Sequence, residues 1–362
     1  IQFSVKHMRI ILTAFTLYVV FIGGFLLISC IRLVRDKNAE EGYWESNLKT
    51  DKTIENEVKK ISEASDPVDV TVGTYITDLK DMSLDDSDFE VTAKVWFRWT
   101  GDEDLDMAHH FSVYKGVINN LTMLEDVHDK DSNYQLVLLD TTISKVFWTV
   151  RFPLESHQLR MYLQSDYDVS IVQFQDDADA SMVNPNMDVA GFRLERSATK
   201  AMNYKFDSSL GNPNAINDTG YMYVSEHMTQ VEINRTGFSL YLLCFIAMFG
   251  TMTWTMITLY ICTYHHVDPL GMIPSALFGA VANIMVGANM VPSVQAGLLL
   301  EMNVFGIVTI LTTAITIIMI NRIRSKYEDR EFAGRFGRMM FITELTLVVA
   351  GNIALPLSAY KF

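Results

Sequence analysis

Residues 151–167, "RFPLESHQLRMYLQSDY", lie in a long polar stretch of a chain whose later half is strongly apolar. Apolar side chains recur at every second position over 146–152, before the Pro153 hinge, and they do so again over 159–163. A period of two residues is typical of half-buried β-strands. The stretch therefore predicts two strands joined by a turn, and this turn carries one carboxylate, Glu155.

Outside this stretch, the apolar residues are concentrated in five blocks. Each block is about 20 residues or longer, which is enough for a helix to cross a bilayer. The blocks cover 10–31, 237–263, 270–292, 297–320 and 339–360. The sequence therefore predicts a membrane protein with one N-terminal transmembrane helix, a water-facing domain and a C-terminal four-helix transmembrane bundle.

Composition divides the chain into four predicted domains. A transmembrane anchor (1–35) precedes a charged, helix-prone spacer (36–66), and the water-facing domain (67–236) precedes the transmembrane bundle (237–362). In the water-facing domain, short segments rich in β-branched and aromatic residues alternate with breaks such as "SLDDSD" and "TGDEDLD". This pattern is typical of an antiparallel β-sandwich.

All three cysteines, Cys30, Cys244 and Cys262, fall within or beside apolar blocks, so we expect no disulfide in the sandwich.

Basic residues predict the orientation of the chain. The link after the fourth apolar block, 321–338, holds six Lys or Arg residues. Short basic loops stay cytoplasmic, so we expect the sandwich to be outside, extracellular or periplasmic, in a multi-pass protein of the cell membrane, or of the inner membrane if the source is bacterial. The first block ends in "LISC" at Cys30, which resembles a lipoprotein cleavage site. We expect an uncleaved anchor instead, because the apolar run is long for a signal core and lacks a small-x-small site.

The sequence shows no catalytic constellation. It has no Gly-rich phosphate loop, no nucleophile elbow and no paired-cysteine zinc pattern, so we expect neither an enzyme nor a resident cofactor, and no nucleic-acid partner. Acidic runs such as "FQDDADA" are explained by solvated loops or by calcium binding. Calcium needs six or more oxygen ligands and none of the runs has EF-hand spacing, so calcium modulation is the weaker interpretation.

The order of a β-sandwich followed by four helices resembles the pentameric ligand-gated ion channel superfamily, and specifically its prokaryotic members. The motifs that carry the resemblance are "VTVGTYITDL", "FRWTGDEDL", "FPLESHQLRMYLQS", "NRTGFSLYLL" and "NMVP". The third motif is similar to the signature loop of the family, although Lys145 and Leu159 stand where eukaryotic receptors carry paired cysteines. Two further departures are the extra N-terminal helix with its spacer and a first bundle helix without the usual proline.

The resemblance implies a coupling region between the sandwich and the membrane helices. It would comprise Phe152, Pro153, Glu155, Arg235 and Pro292, with Glu155 as the ion-pair partner of Arg235. The resemblance also implies a ligand site between adjacent subunits, walled by aromatic side chains that suit amines through cation–π contact. The candidates for this wall, each of which could instead be a core aromatic, are Trp96, Phe97, Tyr167, Tyr204, Tyr221 and Tyr223.

The block 270–292 differs from its neighbours because it is poor in Leu and Ile and contains Pro, Ser, Gly and Asn. Such a helix is ill suited to face lipid; it is either a tightly packed central helix or a pore lining, and the resemblance favours the pore. Steps of three and four residues place one stripe on a single face: Asp268, Gly271, Ser275, Phe278, Ala282, Met285 and Asn289. The opposite stripe has no charged end: Met272, Ala276, Gly279, Asn283, Val286 and Met290.

The resemblance implies a homopentamer embedded in membrane lipids, with the first stripe lining its pore. Phe278 would be the hydrophobic gate, and a ring of Asp268 carboxylates at the cytoplasmic mouth would select cations. We expect a cation-selective channel gated by an unidentified small molecule or ion. The alternative is a non-conducting membrane sensor or accessory subunit with the same architecture.

Overall fold

The computed structural model describes residues 5–129, 132–187, 189, 191–211, 221–290, 297–326 and 330–361. The chain divides into two compact units. The helical unit comprises Ile1–Glu40, Trp148–Glu155 and Gly237–Phe362, and the β unit comprises Glu41–Phe147 and Ser156–Thr236. The short segment 148–155, which the sequence assigns to the sandwich domain, thus belongs to the helical unit.

Long apolar helices form the helical unit. Their bounds are α1 Val5–Tyr18, α2 Gly24–Asn47, α4 Ser239–Tyr264, α5 Ile273–Ala288, α6 Leu298–Lys326 and α7 Arg330–Ala359. A π-helical turn, Val19–Gly23, joins α1 to α2, and a 3₁₀ turn, Leu270–Met272, leads into α5. Among the described residues, five helical segments are long and apolar enough to cross a membrane, one in each predicted apolar block.

The N-terminal helical run is longer than the predicted anchor. Helix α2 continues to Asn47, so its last residues, 41–47, lie in the β unit. Helix α3, Lys52–Ser65, follows in the β unit, and the Asp51 side chain caps it by accepting a hydrogen bond of 2.8 Å from the Thr53 N–H. The predicted helical spacer therefore corresponds to the end of α2 and to α3, whose buried Val58 packs against Val169 and Tyr223.

Two β-sheets form the rest of the β unit. The strands are β1 Val68–Ser83, β2 Asp88–Trp99, β3 Phe111–Val113, β4 Gly116–Val127, β5 Asn133–Ser144, β6 Ser156–Asp168, β7 Val172–Asp176, β8 Met182–Val183, β9 Phe192–Phe206 and β10 Met222–Arg235. One sheet has the order β4-β5-β2-β1-β7, with β8 also paired to β1, and the other has the order β3-β6-β10-β9. The second sheet is antiparallel, whereas β7 and β8 run parallel to β1, so the first sheet is mixed.

A large hydrophobic cluster lies between the strands of the β unit. Side chains alternate between buried and partly exposed along β5, as expected for a strand with one face on a core. The apolar row predicted at 159–163 is buried in this cluster, which confirms a strand in the second part of the opening stretch. Phe97 lies near the middle, with ring centroids 5.3 Å from Phe111 and 6.2 Å from Phe174.

The predicted strand at 146–152 is wrong. Strand β5 ends at Ser144, and the backbone then turns, with the Phe152 N–H donating to Thr149 and the Leu154 N–H donating to Arg151. These local bonds replace strand pairing, and Pro153 has no N–H to contribute to a ladder. The alternating apolar row therefore does not mark one buried face: Val146 is 81% exposed, while Phe152 is buried.

Candidate functional site

Helix α5 presents one face away from the rest of its chain. All seven residues of the first predicted stripe are exposed in the single chain, among them the large apolar side chains of Phe278 (82%) and Met285 (64%). Their part in lining a pore stays a prediction. The helix period predicts that these residues share a face, and the structure adds that this face is left exposed, apart from a contact between Ser275 and Trp254 of α4.

The opposite face of α5 is held in the bundle by a chain of polar contacts. Asn283 is 1% exposed, and its side-chain oxygen accepts a hydrogen bond of 3.2 Å from the Met248 N–H on α4. Its side-chain nitrogen donates to the Asn303 oxygen on α6 at 2.9 Å, and the Asn303 amide donates to the Leu299 carbonyl at 2.9 Å. Asn283 therefore ties three helices together and is not available to solvent.

Small residues bring the helices close on this buried face. A Cβ atom added at Gly279 would lie 2.4 Å from the Thr251 hydroxyl on α4, and one at Gly287 would lie 2.9 Å from a Leu299 methyl on α6. Such distances require glycine unless the neighbouring side chains move. The tight-packing interpretation of 270–292 thus applies to this face, and only the exposed face is left for a pore.

Asp268 lies just before the 3₁₀ turn, and its carboxylate is exposed. One carboxylate oxygen accepts a hydrogen bond of 3.1 Å from the Leu270 N–H, so the residue caps the turn that leads into α5. Ser275, one turn further along the same face, accepts from the Trp254 indole N–H at 3.1 Å and donates to the Met272 carbonyl at 2.6 Å. The start of the exposed stripe is therefore fixed by local hydrogen bonds.

The hinge loop, which we define as residues 148–155, belongs to the helical unit, and its residues 151–155 are buried. Phe152, Pro153 and Glu155, all predicted coupling residues, are buried, and the Phe152–Pro153 peptide bond is cis. The loop is held against α6 by a hydrogen bond of 2.8 Å from the Leu298 N–H to the Val150 carbonyl. A Cβ atom at Gly297 would lie 1.9 Å from that carbonyl oxygen, so the close approach requires glycine.

Sequence analysis missed the central residue of the hinge loop, Arg151, which is 1% exposed. Its guanidinium forms ion pairs with Asp36 (3.4 Å) and Glu40, both on α2, and donates to the Ala359 carbonyl of α7 at 3.2 Å. The Trp148 indole N–H also donates to Asp36, at 2.8 Å. The signal in the sequence was the pair of acidic residues one helical turn apart directly after the anchor.

The remaining two predicted coupling residues are Arg235 and Pro292. Arg235 is the last residue of β10, and its guanidinium lies 4.3 Å from the ring centre of Phe192 within the β unit. Pro292 lies outside the described residues. The expected ion pair between Glu155 and Arg235 stays a prediction.

The six aromatic ligand-wall candidates occupy several different environments in the single chain. Phe97 and Tyr223 are buried, Phe97 in the core and Tyr223 with its hydroxyl on the Glu57 carboxylate. The Lys205 ammonium lies 3.8 Å from the ring centre of Tyr221 and 5.6 Å from that of Tyr223.

The remaining three candidates lie at the surface of the two sheets. The Trp96 indole N–H donates to Asp177 at 3.0 Å, Tyr167 stacks on His110 at 5.0 Å, and Tyr204 contacts Tyr114 at 5.6 Å. All six side chains thus have partners in their own chain. Phe97 is a core residue, and its buried ring is not accessible to a ligand in this structure.

Strand β10 carries an unexpected buried acid, Glu226. It is 4% exposed, and Gln164 donates to its carboxylate at 2.7 Å. Burial raises the pKa of Glu226 to about 7, and the Gln164 hydrogen bond offsets part of this effect. The β unit therefore contains a carboxyl group that titrates near neutral pH.

Within the described ranges, no group of three or more His, Cys, Asp or Glu side chains is arranged to hold a metal ion. No known protein family matches the chain when it is compared with family models, and no curated protein matches it either. Functional inference therefore rests on the geometry described above.

Proposed function

We propose that the protein is an ion channel of the pentameric ligand-gated type, in which five copies of the chain surround one pore. The proposal includes cation selectivity, a location in the cell membrane with the β unit outside, and opening by a ligand or ion that acts on the β unit. In this arrangement α5 lines the pore, Phe278 forms its apolar gate and Asp268 stands at its cytoplasmic mouth.

The exposed face of α5 is the observation that supports this proposal best. Glycine, serine, alanine and asparagine on a membrane helix are poor contacts for lipid, but they suit a water-filled passage. The opposite face already has its partners in the bundle through Asn283 and Gly279. The exposed face is thus the surface that remains for neighbouring copies and for water.

Asp268 supports the choice of ion. Because only one of its carboxylate oxygens is needed to cap the turn at Leu270, the side chain can cap the helix and still act as a charge. In a fivefold ring these charges would concentrate cations and repel anions where the passage is narrow. The basic link 321–338 is the basis for placing this end of α5 on the cytoplasmic side.

The test is the reversal potential of purified protein in liposomes under a tenfold potassium chloride gradient, with pH, calcium and small amines varied as stimuli. The potassium and chloride limits each lie about 59 mV from zero under such a gradient. Wild type should reverse near the potassium limit. Asp268→Asn, which retains a capping oxygen but loses the charge, should move the value toward zero, and Asp268→Lys should move it toward chloride.

Asp102→Asn is the matched control. The Asp102 side chain accepts a hydrogen bond of 3.0 Å from the Asp104 N–H, which is the same local bond in a turn of the β unit, so this change should leave selectivity intact. A wild-type reversal potential near the chloride limit would overturn cation selectivity. Absence of current from intact particles under every stimulus would favour a non-conducting sensor.

A further inference from the structure

The environment of Arg151 joins three parts of the helical unit. Its guanidinium has two carboxylates on α2 and one carbonyl on α7 as partners, and the side chain is 1% exposed. A buried cation requires such partners, because the loss of hydration is otherwise uncompensated. The position of Arg151, and with it the position of the adjoining Phe152 and Pro153, therefore depends on α2 as well as on α7 and α6.

Helix α2 also contacts the other helices through residues that lie within about one turn of Asp36. Arg32 lies 3.7 Å from Glu301 of α6, and the Lys37 ammonium donates to the Tyr360 carbonyl at 3.5 Å. Neither contact involves the hinge loop. Helix α2 thus has separate attachments to the bundle and to the loop, and the loop attachment is the buried one.

Both the hinge loop and α2 are linked through the backbone to elements of the β unit. The hinge loop is continuous with β5 and β6, and α2 continues into the β unit and is followed there by α3. A displacement of the strands or of α3 would be transmitted along the backbone to the two sides of the same ion-pair cluster.

We propose that Asp36 and Glu40 are positioning residues that hold the hinge loop through Arg151, so that the N-terminal helix is a working part of the coupling apparatus rather than only an anchor. The gating half of this inference rests on the proposed channel function, whereas the positioning half does not. The family resemblance does not provide such a helix, because the extra N-terminal segment is a departure from it.

The experiment uses the full-length protein in lipid nanodiscs and liposomes, with the variants Asp36→Asn and Glu40→Gln. Hydrogen exchange at the Phe152 and Leu154 amides, whose turn bonds close the loop, measures positioning. Each variant should exchange at least about tenfold faster there, since it removes the charge of one of the two α2 carboxylates that contact the buried Arg151 guanidinium. The fraction of channels opened by the wild-type stimulus, recorded at equal pentamer density, measures gating and should fall severalfold.

Glu45→Gln is the matched control, because it neutralises an exposed acidic side chain of the same helix, more than one turn beyond Glu40. It should change neither measurement. If Asp36→Asn and Glu40→Gln leave exchange of the hinge loop unchanged, the inference is overturned. If exchange increases while the opened fraction stays at the wild-type value, the gating half is overturned. If exchange increases but wild type itself gives no current, the proposed function fails while the positioning half stands.

Discussion

At the scale of single residues, the buried acid Glu226 gives the β unit a property that depends on pH. Glu226 is uncharged at acidic pH and becomes charged near pH 7, within a sheet that also places Tyr162 and Tyr204 near it. Because burial raises its pKa above the ordinary value of 4.5, the folded β unit binds this proton more tightly than the unfolded chain does. The sequence does not indicate this, since "SEHM" within an alternating strand is equally compatible with an exposed acid.

Stability of the β unit should therefore depend on pH through Glu226. The Glu226 carboxyl group has a pKa of 4.5 in the unfolded chain and of about 7 in the folded one. The free energy of unfolding should therefore decrease as the pH rises from 4.5 to 7, and it should be constant at higher pH. The loss should be at most about 3 kcal/mol, at 1.36 kcal/mol for each pH unit. Denaturant unfolding at pH 5 and pH 8 measures it. Glu226→Gln should reduce the difference, whereas the exposed Glu103→Gln should retain it; equal slopes in all three proteins would contradict the assignment.

At the scale of elements, α5 shows what a helical period can and cannot predict. Spacing alone groups the residues into two stripes, because side chains three and four apart share a face. Which stripe packs inward depends on neighbours that are distant in sequence, such as Thr251 and Asn303. The strand predicted from the alternation at 146–152 was wrong for the same reason. The position of the hinge loop depends on its contacts in the helical unit and not on pairing with another strand.

Glycine on the inward stripe gives a direct test of this packing. Gly279→Ala should destabilise the helical unit by about 1–3 kcal/mol, since its new methyl group overlaps the Thr251 hydroxyl. Gly271→Ala is the matched change on the exposed stripe, where the added atom meets nothing within 4 Å, and should have little effect. Thermal unfolding in detergent compares the two variants. Equal destabilisation by both would contradict the orientation of α5.

At the scale of the whole molecule, composition predicts the separation into helices and sheets, because apolar blocks and alternating strands rarely mix. It does not predict that 148–155 belongs with the helices, since the partners of Arg151 lie 111 and 208 residues away. The aromatic ligand wall is likewise not predictable from spacing, because whether Phe97 faces the core depends on strand register.

Assembly is the prediction that belongs to this scale. With a chain mass of 41.1 kDa, the proposed homopentamer should have a protein mass of about 205 kDa. Native mass spectrometry after gentle detergent removal measures it, and two-dimensional averages of the particles should show a fivefold ring. Exposure of Phe278 and Met285 gives the physical reason, because large apolar side chains on an unpartnered face favour association. A dimer as the largest stable species would contradict the ring.

Arg151 also implies an order of events during biosynthesis. Ribosomes add about 5–20 residues each second, so Glu40 is made roughly ten seconds before Arg151, and Ala359 follows Arg151 by roughly twenty seconds. During the first interval Asp36 and Glu40 lack the Arg151 guanidinium, and during the second the guanidinium lacks its α7 carbonyl. Arg151 can therefore make all of these contacts only after α7 has been synthesised, so a nascent chain stalled before that helix would leave the guanidinium without the Ala359 carbonyl.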